Sequence, residues 1–131
     1  MIDRNKGLIA LAVIMLFANE AVAHHNMTAA FDFNDRVTLN GALTKVDWRN
    51  PHIYLTVEMK GPDGVIEAWQ AEGPPPSFFR IREVGKPDFQ ESVGKTVTVE
   101  ISRARDKSRS GLIRTFTLSN GKIVSACPQN C

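Results

Sequence analysis

Hydrophobic and polar residues alternate over much of the chain from Arg36 onward, the period of half-buried β-strands. Val37, Leu39, Gly41 and Leu43 share one side with polar neighbours between them. The phase slips near Gly41-Ala42, after which Thr44, Val46 and Trp48 line a face. A glycine where alternation slips predicts a bulge or sharp bend in one long strand. Arg49-Asn50-Pro51 interrupts it. In a second strand, from His52 to Met59, Ile53, Leu55, Val57 and Met59 occupy one face and Tyr54, Thr56 and Glu58 the other. Gly61-Pro62-Asp63-Gly64 predicts a turn. The third strand, Val65 to Glu72, has two candidate inward faces: Val65/Trp69/Ala71 or Ile66/Ala68.

The pattern changes at Gly73-Pro74-Pro75-Pro76-Ser77, and prolines suit a helix start. Phe78, Phe79, Ile81, Arg82 and Val84 fit one short helix, closed by Gly85 at the position after its last turn. Lys86 to Lys95 reads as a loop. Thr96 to Arg103 alternates strictly, with Val97, Val99 and Ile101 inward. A polar loop, Arg103 to Gly111, leads to a fifth strand, Leu112 to Leu118, and Ser119-Asn120-Gly121 turns into a short segment, Lys122 to Ala126. The order β-β-β-α-β-β predicts an all-β domain with one short helix, a five-stranded OB-fold-like antiparallel barrel. A ferredoxin-like fold needs a helix between its first two strands, and Trp48 and His52 are too close for one. An SH3-like barrel, whose connections are also short, is the alternative.

The residues before the strands carry a different signal. Arg4 and Lys6 precede an uncharged apolar run, Gly7 to Ala18, then Asn19, Glu20 and the small-x-small triplet Ala21-Val22-Ala23. That is the layout of a secretory signal peptide over residues 1–23, cleaved after Ala23. A membrane anchor would need about 20 apolar residues, and Glu20 ends the run early. The expected mature product is a periplasmic or secreted monomer: an N-terminal arm (24–35), a barrel domain (36–126) and a cysteine-containing tail (127–131), with no membrane span. In the arm, Phe31 and Phe33 are placed to tuck against the domain. The charged residues removed cancel, so the mature chain keeps the formal net charge of +2.

His24-His25, then Phe31-Asp32, then VTLNGALTKVDWRNPH (37–52) and W-x-x-E (Trp69 to Glu72) resemble the small exported bacterial proteins grouped as DUF6152. The likeness spans nearly the whole mature chain and is most specific at Thr44 to His52. It implies export and a shared fold, and no activity.

Chemistry concentrates in four places. Cleavage after Ala23 would make His24 the first residue, with a free α-amine beside its imidazole. That amine has a pKa of about 7.7–8.0, so a metal competes for it near neutral pH. An all-nitrogen chelate suits Cu(II) first, then Ni(II) and Zn(II). His25 and His52 complete the set of histidines available as further ligands, and Met27 would add a thioether to Cu(I). In an OB-fold the loops between strands one and two and between strands four and five border the ligand face. Here Trp48, Arg49 and Asn50 lie on the first, and Arg105, Lys107 and Arg109 on the second, a rim for an anionic or saccharide ligand. Cys127 and Cys131 suit a disulfide in an oxidising compartment; reduced, they offer two thiolates for Cu(I).

A net charge of +2 in an exported chain gives no case for nucleic acid as partner. No Ser-His-Asp set can be placed from the sequence, no glycine-rich phosphate loop or H-E-x-x-H is present, and Asp47, Glu67 and Glu72 show no pairing at this level. The expectation is a binding module and not an enzyme, with copper or another divalent metal as leading ligand. The alternatives are an anionic or saccharide cell-envelope component, or a protein partner for a structural module.

Overall fold

The computed structural model describes residues 27–126. Its first strand, β1 (Phe31–Asp47), is long because the alternating pattern continues past its own irregularity. Leu39 and Leu43 point into the core and are fully buried. Pairing with β2 (Tyr54–Lys60) then slips: Leu43 faces Val57 but Lys45 faces Thr56. Thr44 is the extra residue of this bulge, and it moves the inward set from odd to even positions, so Val46 and Trp48 pack on the core. The slip expected at Gly41-Ala42 thus falls slightly later. Gly41 instead permits a close approach of two strands. A Cβ there would stand 2.2 Å from the Glu58 carbonyl oxygen, so only glycine lets β1 and β2 come this near.

β1 also starts earlier than Arg36. Phe31 is buried and paired with Ala104, so part of the expected arm is strand. A register shift between Phe31 and Arg36 breaks the alternation there, which is why the sequence shows no clean period.

The remaining strands are β3 (Ile66–Glu72), β4 (Thr96–Ala104), β5 (Ser110–Thr117) and β6 (Ile123–Ser125). They form one sheet in the order β3-β2-β1-β4-β5-β6, and β3 also pairs in parallel with β5. Hydrogen bonding therefore runs around a five-strand ring, β1-β2-β3-β5-β4. The fold is mostly β and OB-fold-like, with a barrel-like ring. Among the described residues there are six strands where five were expected: Ile123–Ser125 pairs along β5, too short to be read from its pattern. On β3, Trp69 and Ala71 are buried while Val65 and Ile66 are exposed, which decides between the two candidate faces.

Between β3 and β4, two short helices replace the single one expected. α1 (Pro76–Arg80) stops before Ile81, and α2 (Lys86–Gln90) lies in the segment read as a loop. Gly85 does not close the first helix; it begins the second. Its backbone is extended, its N–H donates to Asp88 Oδ2 at 2.7 Å, and Asp88 N–H donates back to the Gly85 carbonyl at 3.2 Å. Pro87 in the first turn completes the start signal. The helices deliver Phe79 and Phe89 to the core, where their rings lie 5.4 Å apart and edge-on. Phe116 of β5 follows at 5.1 Å from Phe89. Such aromatic pairs add about 0.5–1.5 kcal/mol beyond area burial. After α2 the chain returns along β1: Gly94 N–H donates to Leu43 O and Leu43 N–H to Lys95 O.

Candidate functional site

β1, β2 and β3 end in one row: Asp47 stands opposite Tyr54, and Tyr54 opposite Glu72. His52 lies just before β2, after the cis Asn50–Pro51 bond. The ladder continues past the named strands, since Gly73 N–H donates to Ile53 O at 2.8 Å. Gly73 sits so close to the core that a Cβ there would approach Ile53 Cγ1 to 2.8 Å. This brings its carbonyl within 3.1 Å of His52 Nδ1. A carbonyl oxygen can only accept, so Nδ1 carries the proton and a neutral ring keeps its lone pair on Nε2. Glu72 Oε1 lies 3.6 Å from the same Nδ1. The side chains of His52 and Glu72 are 29% and 21% exposed, so the pair is partly shielded and still reachable. Among the described residues, Nε2 has no hydrogen-bond partner.

Burial raises the Glu72 carboxyl above the usual range, with His52 pulling the other way. The Tyr54 phenol is also raised, by burial and then by the Glu72 charge, with Arg49 opposing. The sequence alone offers Glu72 only as a carboxylate without a partner. The signal available was the hairpin turn: once Lys60 faces Ile66, counting outward puts Glu72 opposite Tyr54 and beside His52.

The expected rim residues are engaged within the protein in different ways. Trp48 is drawn inward, its ring 5.5 Å from Phe79 and 5.2 Å from Phe89, because the β1 bulge turns it toward the helices. It packs, partly buried, at the edge of the core. Arg49 pairs with Asp47 at 3.2 Å and sits 5.6 Å over the Tyr54 ring. Asn50 is exposed.

In the β4–β5 loop each proposed cation faces a carboxylate: Arg105 with Asp32 at 3.9 Å, Lys107 with Asp35 at 2.6 Å, Arg109 with Glu67 at 3.0 Å. Arg103 lies over the Trp69 ring and donates to the Lys107 carbonyl. Glu67 also accepts from the Trp69 indole at 3.2 Å. The loop is thus tied to β1 and β3. Glu67, its anchor, and Glu72, beside His52, lie five positions apart on β3. The backbone at the end of the loop meets β3 nearer Glu72, since Gln70 N–H donates to the Arg109 carbonyl at 2.9 Å.

A family model described as a family of unknown function, DUF6152, matches residues 12–115. The chain belongs to DUF6152. No curated protein and no solved structure matches it. The DUF6152 match takes in His24, His25, His52 and all six rim residues, and ends before β6 and the two cysteines.

His24, His25, Cys127 and Cys131, with the expected signal peptide, lie outside the described residues. Among the described residues of this DUF6152 chain, no group of three or more His, Cys, Asp or Glu is placed to hold a metal ion. A site using His52 therefore needs donors from elsewhere. No helix among the described residues is long and apolar enough to cross a membrane.

Proposed function

We propose that this protein is a small exported metal-binding module. In this reading cleavage after Ala23 frees the His24 amine. That amine and the His24 imidazole chelate Cu(II), with a third nitrogen from His25 or from the Nε2 of His52. The observation that supports it most is the state of His52. Its Nδ1 is committed to the Gly73 carbonyl at 3.1 Å, with Glu72 at 3.6 Å, which is how metal-binding histidines are usually held through the nitrogen that does not ligate. The other reading, an anionic or saccharide ligand on the rim, has less support because the β4–β5 cations already face Asp32, Asp35 and Glu67.

The test is a Cu(II) titration of the exported protein, with intact mass fixing its first residue. The expected result is His24 first and tight 1:1 binding, lost when one residue is added before His24. Weak binding that tolerates the added residue, or a mature chain starting elsewhere, sinks the proposal.

A further inference from the structure

We infer that Asn120 is a site of spontaneous deamidation, while Asn40, which is also followed by glycine, is protected by the fold. Asn-Gly occurs in the sequence at 40–41 and 120–121 and nowhere else. A glycine leaves its own backbone nitrogen unshielded, so that nitrogen can close on the asparagine before it. In this step the Gly121 nitrogen gives up its proton and bonds to Asn120 Cγ. The Cγ–Nδ2 bond breaks and ammonia leaves. Water then opens the cyclic imide at Cγ to give aspartate, or at the main-chain carbonyl carbon to give isoaspartate, whose chain runs through Cβ and Cγ. No reactant other than water is consumed.

Asn120 is exposed in the turn between β5 and β6. Lys122 N–H donates to its Oδ1 at 2.9 Å, which draws electrons from the amide carbonyl, and Nδ2 has no partner among the described residues. Gly121, with φ of 85°, is the left-handed residue that lets the chain reverse here. Its N–H donates to the Leu118 carbonyl at 2.9 Å, and that bond must open before attack. At an exposed turn such opening costs little. Asn40 is exposed as well, so exposure does not separate the two. Its backbone does: Asn40, Gly41 and Ala42 pair with Thr98, Val97 and Thr96 of β4, and Ala42 also with Glu58 of β2. Asn40 Nδ2 donates to Thr98 Oγ1 at 3.2 Å. To bring Gly41 N onto Cγ, this stretch of β1 has to leave the sheet.

The experiment incubates the full chain, folded and in concentrated urea, at mildly alkaline pH, where the attacking nitrogen loses its proton more readily. Peptide mapping by mass and retention time follows both asparagines and separates aspartate from isoaspartate. In the folded protein Asn120 should convert at least about tenfold faster than Asn40, which reacts only through openings of a core strand. In urea the two rates should be comparable. Equal rates in the folded protein overturn the proposal, as does an Asn120 that converts only in urea. A tenfold gap that persists in urea also overturns it, because the difference then belongs to the local sequence and not to the fold.

Discussion

The β1–β2 and β4–β5 loops differ in how much charge their sequences carry. Arg103 to Gly111 carries four basic residues and one acidic one and looks like the place where a ligand is caught. Residues 49–52 carry one cation and one imidazole around a proline and read as a turn as readily as a rim. In three dimensions the crowded loop has its charge matched by carboxylates of β1 and β3, and its Arg103 laid on Trp69. The sparse loop holds an imidazole whose Nδ1 is engaged and whose Nε2 has no partner among the described residues. Charge density along a chain therefore measures supply, while availability depends on what the fold brings opposite each group.

The largest effect that would sharpen this contrast is on copper. His52→Ala should weaken Cu(II) binding by on the order of a hundredfold, roughly 3 kcal/mol, while Lys107→Gln changes it less than about threefold. Competition titrations of both variants check it, and equal losses would erase the distinction between the loops.

Next comes Trp48, assigned by sequence to the rim and by structure to the aromatic cluster. Trp48→Ala should destabilise the fold by about 2–4 kcal/mol, since it vacates space against Phe79 and Phe89. Arg49→Ala, a surface change in the same loop, should cost less than about 1 kcal/mol. Urea unfolding monitored by circular dichroism separates them. If Trp48→Ala unfolds at the same urea concentration as the parent, the residue belongs to the rim after all.

Much of the framework was legible for a simple reason: burial alternates with strand period. Ile53, Leu55 and Val57, and Val97, Val99 and Ile101, are buried as their spacing requires. Errors arose where one residue type serves two purposes. Gly85 reads equally as a helix stop and a helix start, and only Lys86-Pro87-Asp88 beyond it tells them apart. The ion pairs of the β4–β5 loop were not legible in the sequence. Lys107 and Asp35 are separated by 72 positions and Arg109 and Glu67 by 42, distances over which local patterns say nothing. Glu72 was recoverable, because hairpin register is a local property.

A smaller effect tests whether the β4–β5 charges are matched. Glu67→Gln should release Arg109 and the Trp69 indole together. The predicted effects differ for the two members of the pair: retention on heparin resin rises for Glu67→Gln and changes little for Arg109→Gln, while Trp69 emission shifts to the red in the former. The stability change should stay under about 1 kcal/mol, as for other solvent-accessible pairs. A clear fall in retention for Arg109→Gln would mean that its charge was available all along.

The smallest effect is a pH dependence at Asp35. The Lys107 hydrogen bond, foremost, holds this carboxyl below its ordinary value of 3.8. A carboxyl lowered in the folded state binds fewer protons there than in the unfolded chain, so it stabilises the fold above the unfolded value and loses that contribution as pH falls through the folded one. Thermal midpoints of Asp35→Asn and the parent should therefore differ slightly at neutral pH and converge below 3.8. The gap should also narrow at about 1 M salt, where the screening length is near 3 Å. A gap that widens on acidification would mean that Lys107 and Asp35 are not partners in solution, and that the β4–β5 loop carries a free cation for a ligand to find.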